Sequence, residues 1–542
     1  MIFPRVKKET VQHGVFSLTG TLSFYADDHD ASVSAFNLLT EFCRDLEIRV
    51  KRADEKTAVL HFQKIKDKRY GFYRVHTKTD GIFVQYTSAG SARDAAATLV
   101  ASGIYDDAKK ELSFTCGKIE DWPDAKYRGV MLDPARLHID LDLLRARIRL
   151  MARAKLNVLH LHLLDNERYA IRSEAVPSLN ENPIFKQYGI QEMRELVAYA
   201  KGLGVTILPE IDYPGHALFT LEKMPELKCE SDGERIGIWT LCLANEGTYD
   251  LLERLIAEIS DIFPSEYVHI GGDEFSFSDI LDQYPGYEYA WDKCDHCKKE
   301  MAEKECIDVY DYFCHYLKRV HAIAAKYNKK IMLWSDSIDI SRTNDLPRDI
   351  LIQFWRIALP GRGPYEGCSM QRFLDEGFTV VNNFFEESYL DDYVTEERLK
   401  NWDISKSPSA KNNLEHLVGG SFCAWGFRDH FEYTLPAALF LFGDRFWNRA
   451  PLEINREATA AMSRQLIWTE KGVLDIFGLL GGCLMPVRGD DRYLSPSDDV
   501  EAVKKAITYL ERVYMIGRCD QRNVKAYIHC LKDLLKTGIK GR

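Results

Sequence analysis

Short runs of alternating hydrophobic and polar residues dominate the first 120 positions of this 542-residue chain. Between them lie two segments with apolar residues at helical spacing, the second of which is rich in alanine. Strands and helices mixed in this way predict a small α+β domain over residues 1–121, built on one antiparallel sheet. The β-like runs are 15–18, 58–62 and 81–86, and the helix-like segments are 31–46 and 91–102.

From residue 122 the pattern changes to an apolar strand, a turn and an amphipathic helix, repeated along the chain. Eight strands alternating with helices favour the α/β class and a (β/α)8 TIM barrel over a doubly wound sheet, in which no eightfold count is expected. We therefore predict a barrel over 122–490, followed by a C-terminal helical segment over 491–542 that packs on its outside. The predicted strands are 127–132, 158–163, 205–211, 267–270, 331–334, 350–355, 378–383 and 418–425, with helices at 141–154, 191–202, 249–262 and 309–327.

Polar or indole-bearing residues follow every one of these eight strands. In a TIM barrel the carboxyl ends of the strands meet on one face, and active sites are built there. A single strand-end aspartate often caps a helix, and a single tryptophan usually belongs to the core. Convergence from all eight strands instead favours a pocket for a pyranose, whose C–H faces pack on aromatic rings while its hydroxyls bind charged groups. The residues are Arg136, Asp165, Asp212, His216, Asp273, Glu274, Trp334, Asp336, Trp355, Tyr389, Asp391 and Trp425.

Two adjacent carboxylates, Asp273 and Glu274, follow the fourth predicted strand after Gly271 and Gly272. Glycines at a strand end let the backbone turn sharply and let another group approach closely. Two neighbouring carboxylates are costly to ionise together, so one can donate a proton while the other stays anionic. A solvated acidic loop is the ordinary explanation of a bare Asp-Glu pair, but the preceding His-x-Gly-Gly favours a catalytic role.

Composition and charge narrow the class of protein. The net charge of −11 and the lack of a basic run argue against nucleic acid or an anionic membrane surface as the main partner. No stretch approaches eighteen consecutive apolar residues, and the N-terminus shows no secretory signal. Thirteen cysteines, an odd number, do not suggest a disulfide framework. We therefore expect a cytoplasmic protein without a membrane span, and the sequence leaves its oligomeric state open, a homo-oligomer included.

The segment Cys294-Asp295-His296-Cys297 has the spacing of half a zinc site. The second half is not evident from the sequence, because Cys306, Cys314 or His315 would have to fold back toward it. We therefore favour free thiols in a helical insertion and keep structural zinc as the alternative.

Four segments of the predicted barrel resemble the motifs of glycoside hydrolase family 20, the β-N-acetylhexosaminidases. They are HIGGDE at 269–274, YRGVMLDPAR at 127–136, EIDYPGH at 210–216 and YLD at 389–391. The resemblance covers roughly residues 122–447. It implies the family's barrel, with the small N-terminal domain in its usual place.

The resemblance implies a retaining, exo-acting hydrolase that removes terminal β-linked GlcNAc or GalNAc from a glycan. Glu274 would protonate the glycosidic oxygen and later activate water, and the substrate's own 2-acetamido carbonyl would attack to give an oxazolinium. Asp273 and Tyr389 would position that acetamide, and His216 would support the acid. No metal or cofactor is implied. The expected substrate-binding residues are Arg136, Asp165, Trp334, Trp355, Asp391 and Trp425.

Three departures from the family pattern leave the sugar preference open. Asn166 stands in place of a carboxylate that normally helps the relay around His216. Phe427 stands where the family has a glutamate that grips O4 and O6 of the sugar. Arg428 and Arg356 add positive charge near the same rim. These changes predict relaxed discrimination between GlcNAc and GalNAc, or a preference for a substrate with an anionic group such as a sulfate.

Two other functions stay open at this point. The barrel could bind amino sugars without cleaving them, because two polar positions of the pocket have changed. Retention of Tyr389 and of both Asp273 and Glu274, which strain each other electrostatically, argues against this alternative. The barrel could also cut a 2-acetamido linkage within a chain, although its many tryptophans favour a closed pocket for a chain end.

Overall fold

The computed structural model describes residues 1–453 apart from nine gaps, and isolated positions beyond them. The gaps are 45, 107, 181–185, 276–289, 343–344, 357–368, 391–395, 407 and 427–430. Beyond residue 453 the described positions are 458, 461, 462, 504, 507, 511 and 532. The predicted C-terminal helices over 491–542 therefore lie almost entirely outside the described residues.

The N-terminal part of the chain forms one mixed β-sheet. Its strands are β1 Lys8–Thr19, β2 Thr21–Ala26, β3 Arg49–Arg52, β4 Leu60–Lys64, β5 Tyr73–Lys78, β6 Gly81–Tyr86, β7 Ile104–Asp106 and β8 Glu111–Asp121. They pair in the order β1-β8-β5-β6-β4-β2-β3, and β7 pairs with β8. The prediction of a purely antiparallel sheet is wrong, because β2–β3, β2–β4 and β4–β6 are parallel. The helix between β2 and β3 carries the chain back across the sheet, which makes these two strands parallel.

Two helices cover this sheet. The helix Val33–Arg44 buries Ala35, Leu38, Leu39 and Phe42, which share one face at helical spacing. The helix Ala89–Ser102 is capped by the Ser88 side chain and buries a row of alanines. It packs against both the first helix and the first helix of the following domain, so it forms the layer between the sheet and the barrel.

Eight parallel strands then close a barrel. They are β9 Tyr127–Leu132, β10 Val158–His162, β13 Thr206–Glu210, β16 Tyr267–His269, β17 Lys330–Trp334, β18 Leu351–Phe354, β19 Thr379–Asn382 and β20 Leu417–Ala424. Around the barrel they pair in the order β10-β13-β16-β17-β18-β19-β20-β9, and β9 closes on β10. Two short hairpins lie in the loops after β10 and β13: β11 Leu164–Asp165 with β12 Arg168–Tyr169, and β14 Cys229–Ser231 with β15 Glu234–Ile236. The TIM barrel and all eight predicted strands are confirmed, each strand end to within one residue.

Helices follow or connect the barrel strands. The four predicted helices are confirmed as Leu141–Arg153, Ile190–Gly202, Glu246–Ile262 and Val309–Lys326. No helix in the described part of the chain is long and apolar enough to cross a membrane. The other helices are Leu218–Lys223, Asp295–Glu303, Met370–Asp375, Phe385–Ser388, Glu396–Asn401 and Phe431–Trp447, with 3₁₀ turns at Pro177–Asn180, Pro225–Leu227, Ile340–Arg342 and Leu414–His416.

The barrel interior changes from apolar to polar along the strands. One layer takes a hydrophobic side chain from every strand: Tyr127, Val158, Leu208, Tyr267, Met332, Leu351, Val381 and Val418. Two residues further along, at the same inward-facing phase, stand the buried polar side chains of His160, Glu210, His269 and Gln353. Burying polar groups is costly unless they are paired, so this second layer marks the end of the barrel where function is expected.

A buried polar network joins the sheet to the barrel. The carboxylate of Asp121, at the end of β8, accepts hydrogen bonds from the Lys155 ammonium at 2.8 Å, the Tyr73 hydroxyl at 2.5 Å and the Trp447 indole at 2.9 Å. The Lys155 ammonium also lies 4.2 Å from the Trp447 ring centroid. All four side chains are fully buried. Such a network holds the two domains in one relative position.

The first residues of the chain bind the last described barrel helix. The guanidinium of Arg5 pairs with Asp444 at 2.7 Å, and its backbone N–H donates to the same carboxylate at 2.7 Å. It also donates to the carbonyl oxygens of Ala450 and Pro451, at 3.0 and 2.8 Å. Asp444 is fully buried on the helix Phe431–Trp447, so this contact closes the N-terminus onto the barrel.

Candidate active site

The fourth barrel strand ends in a turn that requires glycine. Gly271 and Gly272 have φ angles of 69° and 86°, which L side chains rarely adopt. A Cβ atom on Gly271 would lie 1.7 Å from the Asp212 carboxylate, so this side chain packs directly on the glycine backbone. The turn leaves Asp273 buried and Glu274 with 18% of its side chain exposed. Glu274 itself has a φ of 52°, a conformation held by the surrounding contacts.

His216, from the loop after β13, lies beside both carboxylates of the pair. Its Nε2 atom is 3.6 Å from Asp273 Oδ2 and 3.4 Å from Glu274 Oε2. Its Nδ1 atom is 3.2 Å from Asp165 Oδ1, at the end of the second barrel strand. His216 therefore connects the acid pair to a third, fully buried carboxylate.

Burial and mutual repulsion set the protonation of this cluster. Burial, together with the neighbouring Asp212, raises the pKa of Asp273 well above its usual range, and His216 opposes the rise. Burial likewise raises the pKa of Asp212 to about 7. Burial alone would lower the pKa of His216, but Asp165 and Asp212 raise it well above its ordinary value. Polar side-chain atoms of Asp212, His216 and Asp273 lie within 4.8 Å of one another, so the His216 imidazolium supplies positive charge beside both carboxylates.

A second buried imidazole, His162, joins Asp165 to Glu210. Its Nδ1 lies 2.5 Å from Glu210 and its Nε2 lies 2.7 Å from Asp165. Burial opposes its protonation, but Glu210 and Asp165 hold the pKa of His162 well above the ordinary value. Glu210 also accepts the indole N–H of Trp334 at 2.7 Å. Sequence reasoning missed His162. The signal that could have revealed it is an ionisable side chain at the end of a short apolar strand, where it must be buried and therefore paired.

Asn166 leaves the relay to His216 in place. Asp165 supplies the carboxylate that contacts His216, and the Asn166 side chain lies 3.3 Å from the same Nδ1 atom. The Asn166 side-chain oxygen accepts the backbone N–H of Leu218 at 3.1 Å. This residue therefore braces the loop that carries His216, while the neighbouring Asp165 orients the imidazole.

Arg136 reaches the pocket from the loop after the first barrel strand. Its guanidinium pairs with Asp133 at 3.0 Å and with Asp165, and it lies 5.2 Å from the ring centroid of Trp425. Only 9% of its side chain is exposed. Two carboxylates and an indole thus fix the planar guanidinium in one position beside the other predicted site residues.

An aromatic wall faces these charged groups. The ring of Tyr389 stacks on Trp355 with centroids 5.8 Å apart and meets Trp425 edge-on at 5.8 Å. Trp334 lies 5.9 Å from Trp425. These rings pack with Met131 and Cys423 in a cluster separate from the main core. Aromatic faces beside fixed charges match what a pyranose needs.

Asp336 ties the acid loop to this wall. It accepts the backbone N–H of Glu274 at 3.1 Å, the indole N–H of Trp355 at 2.8 Å and the Arg356 guanidinium at 2.7 Å. Arg356 Nη1 lies 3.9 Å from Glu274 Oε1. The expected positive charge of Arg356 therefore lies beside the acid itself.

Trp239 is a site residue that sequence reasoning missed. It lies in the long loop after β13, and its indole N–H donates to the backbone carbonyl of Glu274 at 2.8 Å. Its ring centroid is 4.7 Å from that of His216. Trp239 lies far from any strand end, so the sequence pattern could not identify it. Only the tertiary fold brings its loop next to Glu274.

Nine of the ten predicted site residues are described, and continuous contacts connect them in one cluster at the carboxyl ends of the strands. Asp391 lies outside the described residues, as do Phe427 and Arg428, on which the predicted change in O4 and O6 recognition depends. Asp165 is fully buried, so it acts on the pocket through Arg136 and His216.

Known proteins resemble this chain in sequence and in fold. It is 28% identical to the beta-hexosaminidase subunit alpha of Mus musculus over 344 residues, 61% of this chain and 60% of that protein. The chain thus spans about three fifths of the length of the first relatives it matches. The beta-N-acetylhexosaminidase of Bacteroides fragilis superposes with a TM-score of 0.71 at 22% identity, over 86% of this chain and 94% of that one. The exo beta-N-acetylglucosaminidase of Vibrio harveyi, solved with N-acetylglucosamine, gives a TM-score of 0.70 at 22% identity, over 82% of this chain and 73% of that one.

The sequence model described as "Glycosyl hydrolase family 20, catalytic domain" matches residues 126–432, more than half of the chain. This match spans all eight barrel strands and both members of the acid pair. The protein belongs to glycosyl hydrolase family 20.

Proposed function

We propose that the protein is a retaining exo-β-N-acetylhexosaminidase, which removes terminal β-linked GlcNAc or GalNAc from glycans through an oxazolinium intermediate. The observation that carries this proposal is the Asp273–Glu274 pair, contacted by His216 and set beside an aromatic wall at the carboxyl end of the barrel. In this family the substrate supplies the nucleophile. The beta-hexosaminidases among the relatives support the same activity.

Glu274 is the proton donor of the first step. Its backbone is held on one side by Asp336 and on the other by Trp239, so its carboxyl group has a fixed place in the pocket. It gives its proton to the glycosidic oxygen as the bond from that oxygen to C1 breaks. Proton donation of this kind contributes about 10²–10⁴-fold to the rate.

Asp273 and Tyr389 position the acetamido group that attacks C1. Asp273 Oδ1 is a buried acceptor with no hydrogen-bond partner among the described residues, and the acetamido N–H of the substrate would supply one. As the carbonyl oxygen bonds to C1, positive charge develops on the nitrogen and favours an anionic Asp273. The Tyr389 hydroxyl would donate to that carbonyl oxygen.

The second step regenerates the enzyme. Glu274, now deprotonated, takes a proton from water as the water oxygen attacks C1 and the oxazolinium ring opens. Each step inverts the configuration at C1, so the product keeps the β configuration. His216, 3.4 Å from Glu274, balances the charge of the carboxylate between the two steps.

We assign substrate binding to Arg136 and to the indoles of Trp334, Trp355 and Trp425. The guanidinium would hold neighbouring ring hydroxyls, and the indoles would enclose the acetamido methyl group and the C–H face of the sugar. Asp391, in a segment outside the described residues, is the proposed second reader of O4. Without a glutamate at Phe427, discrimination at O4 should be weak.

We further assign the activity to the barrel of residues 122–490 and place the enzyme in a reducing compartment, the cytoplasm. Each of the nine described cysteines is free, which supports such a compartment.

A panel of aryl glycosides tests the proposal. We expect hydrolysis of the β-GlcNAc and β-GalNAc derivatives within about tenfold of each other, since one hydrogen bond is worth roughly 1 kcal/mol. The glucoside should be cleaved at least about a thousandfold more slowly, and the 6-sulfo-GlcNAc derivative measures whether the charge of Arg356 favours an anionic group. Binding of these sugars without turnover would favour the amino-sugar-binding alternative.

A thiazoline analogue of GlcNAc tests the nucleophile. It mimics the bicyclic intermediate and should be a tight competitive inhibitor. Asp273→Asn should weaken this inhibition together with turnover, whereas Asp250→Asn, an exposed control on the helix Glu246–Ile262, should change neither. Efficient cleavage of plain β-glucosides, with no gain from the acetamido group, would exclude the mechanism.

A further inference from the structure

Four buried cysteines converge next to the active site. The sulfur atoms of Cys229, Cys242, Cys294 and Cys297 all lie within 4.8 Å of one another. Cys242 Sγ is 3.6 Å from Cys297 Sγ and 3.9 Å from Cys294 Sγ. A disulfide would bring two sulfurs to about 2.05 Å. Sulfurs around a tetrahedral zinc, each roughly 2.3 Å from the metal, stand about 3.8 Å apart.

The four cysteines sit on two short structural units. Cys229 begins the β14–β15 hairpin, whose turn residues Asp232 and Gly233 have φ angles of 53° and 80°. Cys294 directly precedes the helix Asp295–Glu303, and Cys297 lies in its first turn. The amino end of a helix carries partial positive charge, which favours thiolates there.

A direct contact joins the two units. The backbone N–H of Asp232 in the hairpin turn donates to the Asp295 carboxylate at the start of the helix, at 2.9 Å. Cys242, from the loop that follows the hairpin, is anchored by its backbone N–H to the carbonyl oxygen of Leu227 at 3.0 Å. The arrangement of the sulfurs is thus built by surrounding hydrogen bonds.

We propose that Cys229, Cys242, Cys294 and Cys297 bind one structural Zn²⁺ ion, which joins the loops after β13 and β16. Four thiolates in a tetrahedral arrangement are a ligand set that selects zinc over hard cations. A site closed by four protein ligands leaves no open position for substrate, so the role of the metal is structural. Binding would release the thiol protons and make the fold of both loops depend on the metal.

The sequence identified only half of this site. A zinc site completed by Cys306, Cys314 or His315 would have required these residues to fold back, and the structure instead places Cys229 and Cys242 beside Cys294 and Cys297. The second half comes from the preceding loop, more than fifty residues upstream of Cys294. The sequence favoured free thiols in a helical insertion, and the convergence of four sulfurs is the observation that supports the zinc alternative instead.

Neighbouring side chains connect the cysteine cluster to the loop that carries Glu274. Leu241, next to Cys242, accepts the indole N–H of Trp291 at 2.9 Å. The ring of Trp291 packs on Phe275 at 4.8 Å between centroids, and Phe275 directly follows Glu274. Trp239, three residues before Cys242, donates to the Glu274 carbonyl oxygen. The zinc would therefore fix two of the groups that hold the acid in position.

Metal analysis of the intact protein tests this inference. The protein should be purified under reducing conditions with an affinity tag that contains no histidine. We expect about one zinc per chain by elemental analysis, and an X-ray absorption spectrum with four sulfur ligands at roughly 2.3 Å. Less than about 0.1 zinc per chain after growth with added zinc, iron in its place, or a shell of nitrogen and oxygen ligands would overturn the proposal.

Cysteine variants locate the ion. Cys242→Ser and Cys294→Ser should reduce the zinc content at least about fivefold and lower Tm by about 5 °C or more. The controls Cys306→Ser and Cys314→Ser change thiols of the same region outside the cluster and should keep the full zinc content. If the serine variants do not fold, Cys242→His should keep zinc and show three sulfurs and one nitrogen around it. Full zinc in both serine variants would overturn the assignment of the ligands.

The zinc content and the X-ray absorption spectrum can be measured whether or not the protein has the proposed activity. A protein that lacks zinc but hydrolyses the aryl glycosides would overturn this inference alone, and a protein that holds zinc but cleaves none would overturn the proposed function alone. In the soluble Cys294→Ser protein we also expect kcat to fall about tenfold or more with little change in KM, because the acid loop loses its support.

Discussion

At the scale of single residues, the pocket is built from buried charges that neutralise one another. The imidazoles of His162 and His216 each lie between carboxylates, which come from Asp165, Glu210 and Asp273. Opposite charges at these distances favour the ionised forms of both imidazoles, Asp165 and Glu210 in spite of burial, whereas burial and the neighbouring Asp212 raise the pKa of Asp273. Removing any one member leaves an uncompensated charge in a dry environment. The same pairings therefore give the site both its geometry and its protonation states.

The first prediction at this scale concerns Glu274. Glu274→Gln should lower turnover of natural glycosides by about 10²–10⁴-fold or more, because Glu274 is the proposed acid of the first step and the proposed base of the second. The loss should be smaller for aryl glycosides whose leaving group needs little protonation. Steady-state kinetics on both substrate types measure the difference, with the exposed Glu266→Gln at the opposite end of β16 as the control. Equal losses on the two substrate types would contradict the assignment of Glu274 as the acid.

The second prediction concerns pH and Asp212. Burial raises the pKa of Asp212 from its ordinary 3.8 to about 7, with His216 opposing the rise. The folded protein therefore holds this proton more tightly than the unfolded chain, and the resulting stability is complete below about pH 4 and lost as the pH rises through about 7. Asp212→Asn cannot ionise, so its stability relative to wild type should improve on going from pH 4.5 to pH 8, on the order of 2–4 kcal/mol.

Chemical denaturation at the two pH values measures this change. The control Asp250→Asn, at an exposed position, should show the same difference from wild type at both. A relative stability of Asp212→Asn that stays constant or falls between pH 4.5 and pH 8 would show that Asp212 does not titrate in this range.

At the scale of elements, the loops after β13 and β16 together carry most of the proposed catalytic residues. The first carries His216 and Trp239, and the second carries Asp273 and Glu274. Each loop contacts the other through side chains and backbone groups, as in the bond from Trp239 to the Glu274 carbonyl oxygen. The barrel strands alone do not set the conformation of the loop that carries Glu274. Contacts from the neighbouring loop hold that conformation.

A prediction at this scale concerns Trp239→Phe. The change keeps an aromatic ring against His216 but removes the hydrogen bond to the Glu274 carbonyl oxygen. Because one such bond is worth about 0.5–1.5 kcal/mol, kcat should fall about 3–10-fold with little effect on KM. Trp402→Phe is the matched control, since the Trp402 indole N–H has no acceptor among the described residues. If both variants lose kcat equally, ring size rather than the hydrogen bond is responsible.

The elements themselves were largely predictable from the sequence, and the contacts between distant loops were not. Each barrel strand is a short apolar run bounded by turns, so the residues at which it begins and ends could be predicted from the sequence. The helix after β2 was also predicted, but whether it crosses over the sheet depends on tertiary packing, and the antiparallel prediction was wrong there. The positions of Trp239, Cys229 and Cys242 follow from long loops that carry no periodic signal. Those residues became visible only in three dimensions.

At the scale of the whole molecule, the sheet and the barrel depend on a shared buried interface. Asp121 comes from the sheet, Lys155 from the turn before the second barrel strand, and Trp447 from the last described barrel helix. A second buried pair, Arg93 with Asp94, lies on the helix between the domains, where Arg93 donates to the Leu156 carbonyl oxygen at 2.7 Å. Polar groups buried in this way specify one docking position, because any other would leave them unpaired.

The prediction at this scale concerns Lys155→Met. It keeps the apolar stem but leaves the fully buried Asp121 without its cation, which should cost about 3–5 kcal/mol. The free energy of unfolding from denaturant titration measures the loss. Lys330→Met removes an exposed partner of Glu266 and should have little effect. A cost no larger than that of this control would show that the Lys155–Asp121 pair does not hold the domains together.

The contact between Arg5 and Asp444 brings the two ends of the described fold together, since one residue precedes β1 and the other lies on the last helix among the described residues. A fold closed in this way gains cooperativity, because neither the sheet nor the described end of the barrel can fray without breaking an ion pair whose carboxylate is buried. Deletion of the first seven residues would therefore destabilise the helix that follows the eighth strand, although that helix is far away in the sequence. In engineering this protein, the segment around Arg5 should therefore be kept together with the helix that it contacts.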